Sequence, residues 1–478
     1  MKKTIILLAT AAFAFCSCAD YLDVNPKGEV MDADLFTTDE GYEDALYGVY
    51  NEIASGTYLY NGMLIYMPES MSMNFTTSYY YYSSLALADW DTNGPVSVRK
   101  YFWTYAYQAI NHLNNIIQHS EEDTAKSFEH YGLYRGEALA LRALLHFELI
   151  RYFGVPFWAT DAEKEETIPY VTVYGYTITP YSSLDEVYEY IIADLKEAEG
   201  LLVEDKTLVT TDRDNVPTDF TSGRICHLNY YGVQALLARV YWTMSDMENA
   251  AYYAQAVIDS GKFTFRSRSA FTQPDNGTLD LNETIFGLYN EDQDNMAKVF
   301  CVGSSGTTNS FYLASDWEDL YEDGSSTTGS DYRLSAWFDI DDDLILKMVS
   351  NIYYTGASSY TGDSILGLSV IRIPEMYYIL AEYYLDTDND LAIQYYDAVV
   401  TTRGLDSIAE LDDPVLTYDM LYNERRKEFY GEGFTWHEQK RQAMDRTAED
   451  GTVLAGNVTD YYTFPIPEDE TDGRENFE

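Results

Sequence analysis

Four stretches of the chain repeat apolar residues at the three- and four-residue spacing of an amphipathic helix. They are residues 134–158, 182–202, 228–261 and 373–404. In the first, an apolar stripe from Ala138 to Tyr152 stops at Gly154, which is typical of a helix end. In the second, Ser183 followed by Glu186 gives the start of a capping box. The pattern predicts a mainly α-helical protein.

The third and fourth stretches share one arrangement: a helix, a short acidic turn and a second helix. Aligning Ala250 with Ala392 places Tyr241 on Tyr383. This spacing resembles the tetratricopeptide helix pair, although the tryptophan that begins that pattern and its final proline are missing. The two units lie far apart in the sequence, so they are not a tandem array. We expect stacked helix pairs interrupted by long insertions.

The insertions are the loop-rich stretches around residues 60–95 and 265–365, where Gly, Ser, Thr, Asn and Asp cluster between isolated aromatic residues. The first contains four consecutive tyrosines, 79–82. In an extended chain, Tyr79 and Tyr81 would face one way and Tyr80 and Tyr82 the other. Functional residues usually lie on loops that a rigid scaffold carries, so we expect the ligand site here.

The N-terminus has the pattern of a bacterial export signal. Lys2 and Lys3 precede an apolar run, 5–15, which is too short to span a bilayer. Cys18, preceded by the small Ser17, resembles the lipidated residue of a lipoprotein box. We expect residues 1–17 to be a lipoprotein signal peptide and 18–35 a flexible tether that its lipid holds on the membrane. Ordinary secretion with cleavage nearby is the alternative.

The net charge argues against nucleic acid as a partner. The chain has 79 acidic against 30 basic residues, a net charge of −49, and no stretch is basic enough to follow phosphates.

Beyond the N-terminus only the cysteines Cys226 and Cys301 remain, without a CxxC pair or a Cys/His cluster for zinc. They either form a disulfide in the exported protein or are buried thiols.

No motif in the sequence predicts catalysis, a cofactor or a metal. GxSxG, HExxH and a phosphate-binding glycine loop are all missing, and the six histidines stand apart. The acidic runs 339–343 and 386–390 resemble the front of a calcium loop, but Leu344 and Leu391 replace its turn glycine. We interpret both runs as solvated acidic turns, and we expect no enzymatic activity.

Several carboxylates alternate with arginines at helical spacing. We interpret them as buried or half-buried ion pairs that fix helix to helix, not as the acid pair of a glycosidase. These residues are Glu137, Arg142, Arg372, Glu375, Glu424, Arg425, Glu432 and Arg441.

Five motifs in order carry a resemblance to a known family. They are "CADYLDVNP" after the lipoprotein box, "GEALALRALLHFELIRYFGVP", "RIPEMYYILAEYY", "NERRKEFYGEGFTWHEQKR" and "FPIPEDE". Together they resemble the SusD/RagB family from Cys18 almost to the C-terminus. The family commonly ends with an Asn-Pro that "FPIPEDETDGRENFE" lacks.

The resemblance implies an outward-facing outer-membrane lipoprotein built on tetratricopeptide-like helix pairs. It also implies a partner, a SusC-like TonB-dependent transporter over which the protein sits as a lid. The usual ligand is a glycan, while some members serve peptides. We expect an N-terminal SusD-like part at 36–265 and a C-terminal part at 266–478 within one compact body.

The chemistry of sugars selects candidate ligand residues in the insertions. A sugar has an apolar face that stacks on an aromatic ring and a rim of hydroxyls that hydrogen-bond to carboxylates and amides. Aromatic residues with such neighbours are predicted to bind glycan, whereas Trp103 is predicted to be a core residue. The candidates are Tyr82, Asp89, Trp90, Asn93, Tyr289, Asn290 and Trp317.

Overall fold

Within the described residues the fold is helical, with helix pairs of the tetratricopeptide type and four two-stranded antiparallel sheets. A computed structural model describes residues 35–55, 59–60, 65–77, 80–122, 124–211, 218–272, 276–293, 311–321, 331–339, 344–348 and 365–475. The helices are α1 (Asp39–Ser55), α2 (Met67–Met71), α3 (Tyr80–Ala86), α4 (Asn93–Ser120), α5 (Tyr131–Phe153), α6 (Leu184–Leu201), α7 (Asp205–Leu208), α8 (Tyr230–Thr243), α9 (Met247–Asp259), α10 (Arg268–Thr272), α11 (Trp317–Tyr321), α12 (Tyr332–Trp337), α13 (Ile373–Tyr384), α14 (Asn389–Val400), α15 (Tyr418–Glu428), α16 (Thr435–Arg441) and α17 (Glu468–Glu475).

The strands are short and lie mostly in the predicted insertions. They are β1 (Phe75–Thr77), β2 (Thr284–Tyr289), β3 (Phe311–Leu313), β4 (Phe338–Asp339), β5 (Leu344–Ile345), β6 (Gly367–Arg372), β7 (Arg446–Thr447) and β8 (Val453–Leu454). They pair as β1–β3, β2–β6, β4–β5 and β7–β8.

The four predicted helical stretches form a continuous row of packed helices. Helices α4, α5, α6, α8, α9, α13 and α14 each pack against the next in that order. The pair α8–α9 therefore stacks on the pair α13–α14, although the second insertion separates them in sequence. Helix α5 ends before Gly154, and α6 begins with the predicted capping box of Ser183 and Glu186. The prediction of stacked helix pairs is confirmed.

The two later pairs share one internal contact. Tyr241 of α8 stacks on Tyr253 of α9 with ring centroids 5.9 Å apart, and Tyr384 of α13 stacks on Tyr395 of α14 at 5.8 Å. Such offset contacts between aromatic rings add stability beyond the buried area. The sequence alignment placed Tyr241 on Tyr383, one residue away from the tyrosine that makes the equivalent contact.

One cluster of buried apolar side chains runs from Phe36 to Phe464 and crosses the predicted boundary between 265 and 266. It includes Trp103, as predicted. The division of this body into two parts stays a prediction.

The carboxylates and arginines singled out in the sequence do form ion pairs between elements. Arg142 on α5 donates two hydrogen bonds of 2.8 Å to Asp194 on α6. Arg239 on α8 contacts Glu375 on α13 at 2.6 Å. The other pairs are Glu137–Arg224, Glu424–Arg333, Arg425–Glu382, Arg441–Glu382 and Arg372 with Glu283, Glu428 and Glu432. The structural interpretation of these residues is confirmed.

The loop-rich expectation for the insertions is wrong in part. Residues 80–82 begin helix α3 and are not extended, whereas Tyr79 lies outside the described residues. Short elements of two to six residues also occupy the described parts of the second insertion. Such elements are too short to show a hydrophobic period. Their stability comes from tertiary packing.

Candidate functional site

Strands β1 and β3 bring the two insertions together. Phe75 pairs with Leu313 and Thr76 with Tyr312 in an antiparallel register. β1 precedes the tyrosine-rich helix α3, and β3 precedes α11. The two segments that carry most of the predicted aromatic residues are therefore joined by backbone hydrogen bonds.

Asn74, immediately before β1, is fully buried and connects both strands to the scaffold. Its amide group donates to Glu69 at 2.8 Å and to Thr435 at 3.1 Å, and its Oδ1 accepts from Arg426 at 2.7 Å. Its backbone oxygen accepts from the hydroxyl of Tyr430 and from the backbone N–H of Ala314, which follows β3. Every polar group of this side chain is thus used in positioning the two insertions.

Arg426 on α15 continues the same network outward. It donates to both carboxylate oxygens of Asp316 at 3.0 and 3.2 Å, while its Nε holds Asn74. The planar guanidinium suits this two-point contact, which orients the exposed Asp316 carboxylate next to β3.

Two residues with left-handed backbone conformation bracket the tyrosine segment. Met73 (φ 66°) precedes β1, and Ala88 (φ 54°) follows α3. Side chains with a Cβ rarely adopt this conformation, which costs roughly 1–2 kcal/mol per residue. Arg446 donates to the backbone oxygens of Met71 and Ala86, each two residues before one of these positions. Strain of this kind is concentrated at functional sites.

The surface formed here combines aromatic and polar side chains. Tyr312 is 54% exposed, Tyr82 on α3 is half-buried against the core, and Thr76 lies opposite Tyr312 in the sheet. Directly opposed side chains share one face of an antiparallel pair. We call Thr76, Tyr82, Tyr312 and Asp316 the insertion surface.

Trp90 lies at the far end of the same segment and contacts the C-terminal part of the chain. Its indole N–H donates to the backbone oxygen of Asp460 at 2.7 Å, and its ring is 4.8 Å from that of Phe464. The tryptophan is half-buried, whereas Asp89 and Asn93 beside it are exposed. The structure therefore fixes the position of the Trp90 ring and leaves its polar neighbours to solvent.

Tyr289 and Asn290 lie in a different environment. Tyr289, the last residue of β2, is 51% exposed and donates to Glu291 at 3.0 Å. Asn290 is buried, and its amide group donates to the backbone oxygen of Ala54 at the end of α1. Among the described contacts, none joins Tyr289 to Trp90.

Trp317 packs inside the protein. It is 4% exposed and stacks on Phe338 with ring centroids 4.7 Å apart. Trp317 begins α11, and its backbone N–H donates to the oxygen of Ala314 in the turn that follows β3. Trp317 is therefore not part of the insertion surface. The exposed ring of this segment is Tyr312.

Sequence reasoning missed Asn74, Arg426 and Tyr312. Tyr312 stands near Trp317 in the same segment, and only the β1–β3 pairing distinguishes the exposed ring from the buried one. Asn74 and Arg426 are 352 positions apart in the sequence, and their side chains bond to each other and to other side chains. Nothing in the sequence connects the two residues with each other.

Parts of the chain are similar to known proteins. A SusD-like family model described as "Starch-binding associating with outer membrane" matches residues 20–215. A SusD-like protein of Bacteroides ovatus is 24% identical over 303 residues, which are 62% of this chain and 48% of that protein. The SusD-like protein P2 of Formosa agariphila is 27% identical over 60% of this chain and 53% of its own length. The chain is similar to SusD-like proteins, and the family model matches its N-terminal part.

Solved SusD-like structures share the fold over almost the whole chain. A SusD superfamily protein from Bacteroides thetaiotaomicron has a TM-score of 0.70 at 21% identity and covers 92% of this chain and 98% of its own. A SusD-like carbohydrate binding protein from Bacteroides vulgatus has a TM-score of 0.70 at 20% identity, with 92% and 97% covered. The chain spans about half the length of the curated relatives it matches.

Three further sequence predictions concern the lipidated cysteine, the two remaining cysteines and the acidic runs. Cys18 lies outside the described residues, and within the described ranges no helix is long and apolar enough to cross a membrane. Cys226 is half-buried, and burial raises the pKa of its thiol to about 12, while Cys301 is outside the described residues. No group of three or more described His, Cys, Asp or Glu residues is arranged to hold a metal ion. Asp388 caps the start of α14, so the run 386–390 is the turn of a helix pair.

Proposed function

We propose that this protein binds glycans at the outer-membrane surface and delivers oligosaccharides to a SusC-like TonB-dependent transporter. The observation that carries the proposal is the SusD-like family match, whose description is starch-binding. Cys18 would carry the lipid that holds the protein on the membrane. We expect binding without catalysis.

The insertion surface supports this function chemically. Tyr312 offers an exposed ring, and Asp316 and Thr76 offer acceptors and a hydroxyl for sugar hydroxyls. The hydrogen bonds of Asn74 and Arg426 hold these groups in place before a ligand arrives, which lowers the entropy cost of binding. Trp90 and Tyr289, which lie outside the insertion surface, stay candidate ligand residues.

Calorimetric titration of the protein with a panel of neutral polysaccharides and oligosaccharides tests the proposal. We expect saturable binding, and we expect Tyr312→Ala to weaken it by about tenfold, the effect of losing roughly 1.4 kcal/mol of stacking. Tyr252→Ala is the matched control, because Tyr252 is 68% exposed on α9 and contributes to neither insertion.

Peptide binding is the alternative outcome. A peptide would add to the open edges of the β1–β3 sheet through backbone hydrogen bonds. Saturable binding of peptides by a protein that binds no glycan would exclude the glycan proposal and favour this alternative.

A further inference from the structure

A groove on helix α4 lies apart from the insertion surface. It has a volume of about 1160 Å³ and is walled by α4, by the loop 169–179 and by the C-terminal helix α17. Ligand pockets for small molecules usually measure about 300–1000 Å³. The groove is therefore large enough for an extended chain.

Hydrogen bonds from successive turns of α4 fix the loop. The hydroxyl of Tyr107 donates to the backbone oxygen of Pro169 at 2.8 Å, and Asn114 donates to that of Val171 at 3.0 Å. Between them, Asn111 accepts from the backbone N–H of Gly175 at 2.8 Å. Gly175 has φ +103°, a conformation that glycine adopts without strain.

Two further contacts hold the loop from other sides. The backbone N–H of Val171 donates to Nε2 of the buried His146 at 3.0 Å. Arg474 on α17 donates to the backbone oxygen of Thr179 at 2.7 Å. The loop is thus tied to two additional helices as well as to α4.

Tyr176 protrudes from this fixed loop, and its side chain is fully exposed, at 109% of the reference area. A protein gains nothing for its own stability from holding an aromatic ring in water. A loop that is hydrogen-bonded along its length nevertheless keeps the ring at the mouth of the groove. This combination is typical of a preorganised binding contact.

The floor of the groove provides both kinds of contact that a sugar chain needs. Tyr107 supplies a half-buried ring, which packs on the core residue Trp103 with ring centroids 4.9 Å apart. Thr104 and Gln108 form a neighbouring exposed row, and their side chains make no hydrogen bond to the described part of the chain. Their hydroxyl and amide groups are available to a ligand.

Charge limits the class of ligand. Glu470 and Arg474 both line the groove and form an ion pair of 2.6 Å, so their charges cancel locally, while the chain as a whole carries a net charge of −49. This field repels sulfated or uronate-rich polymers. Rings together with uncharged polar groups in a concave site match a neutral oligosaccharide.

We propose that the groove walled by α4, the loop 169–179 and α17 is a second carbohydrate site, in which Tyr176 stacks on a neutral oligosaccharide. The proposal rests on the proposed function, because both require the protein to bind glycan. Asn93, at the start of α4, and Asn111, in the groove, are separated by roughly 27 Å along the helix axis at 1.5 Å per residue. A long glycan could follow α4 from the segment around Trp90 to the groove.

The test compares Tyr176→Ala, Tyr312→Ala and the control Tyr252→Ala in the full chain, using calorimetric titration with neutral oligosaccharides of increasing length. Tyr176→Ala should weaken the binding of long oligosaccharides about tenfold and leave the binding of short ones unchanged. Tyr312→Ala should weaken both. Gln108→Ala, a second groove variant on α4, should reproduce the length dependence of Tyr176→Ala.

Hydrogen–deuterium exchange gives an independent readout, with protection of amides in the loop 169–179 expected on saturation with a long oligosaccharide. Unchanged affinity at every length in both groove variants, without such protection, would overturn the groove proposal and leave the proposed function standing. A Tyr176→Ala variant that binds glycans normally but loses a protein partner would also overturn it. If the unmodified protein binds no glycan, the proposed function itself fails.

Discussion

At the scale of single residues, Glu69 has the most consequential environment near the insertion surface. It is buried on α2, accepts from Asn74 and from the backbone N–H of Gly433, and forms no ion pair among the described residues. Burial raises the pKa of Glu69 from 4.5 to about 7, although these hydrogen bonds act in the opposite direction. A carboxyl group in this position is protonated in mildly acidic conditions.

We predict that Glu69 makes the protein less stable as the pH rises. The folded protein keeps this proton up to a pH of about 7, whereas the unfolded chain releases it near 4.5. The free energy of unfolding should therefore fall between these values, by up to about 3 kcal/mol at 1.36 kcal/mol per pKa unit. Glu69→Gln should remove this part of the pH dependence in urea titrations, while Glu248→Gln, an exposed control, should keep it. Parallel pH profiles for the original protein and Glu69→Gln would contradict the assignment.

At the scale of elements, the insertion surface depends on supports that lie far away in the sequence. β1 is three residues long and β3 is equally short. An isolated two-stranded sheet of this length is not stable by itself in water. The sheet is stabilised through Asn74, which bonds to Thr435 on α16 and to Arg426 on α15.

We predict that Asn74→Ala loosens both insertions. The substitution leaves buried groups of Glu69 and Arg426 without their partner, which should cost about 2–4 kcal/mol of unfolding free energy. Guanidinium titration measures this loss, and hydrogen exchange should show faster exchange in β1 and β3. Asn249→Ala is the matched control: Asn249 is exposed at the start of α9 and bonds only to Asp246 in the described structure, so less than about 1 kcal/mol is expected. Equal losses in the two variants would rule out the supporting role of Asn74.

At the scale of the whole molecule, a buried ionic cluster joins the second insertion to the C-terminal part. Glu428 accepts hydrogen bonds from Arg333, Arg372 and Arg403, all of them buried. Burial opposes ionisation, but the three arginines hold the pKa of Glu428 well below its usual value. The cluster thereby fixes α12, β6 and α15 relative to one another.

We predict that Glu428→Gln destabilises the whole protein by about 3–5 kcal/mol, because it leaves three buried guanidinium groups without their shared carboxylate. Thermal and urea unfolding measure the change, and Glu410→Gln, at an exposed position, is the control. The Glu428 contribution is present above pH 4.5 and is lost as the pH falls towards the lower folded-state pKa. An unfolding free energy within 1 kcal/mol of the original, at neutral pH, would refute the structural importance of this cluster.

The sequence by itself determined the features that depend on neighbours along the chain. The helix pairs, the capping box at Ser183, the end of α5 at Gly154 and the ion-pair residues were predicted because a helix places residues three and four apart on one face. The ordered motifs likewise indicated the SusD-like family, and the exported N-terminus stays a prediction. Which helices would stack was not local information, since the second insertion separates α9 from α13.

Only the tertiary structure decided which aromatic residues meet the solvent. Tyr312 and Trp317 lie in one short segment, yet the first is exposed on β3 and the second is buried against Phe338. Helix α3, not an extended chain, carries Tyr82. Solvent exposure depends on contacts between residues far apart in the sequence, here between Asn74, Ala314 and Arg426, and no period along the chain encodes those contacts.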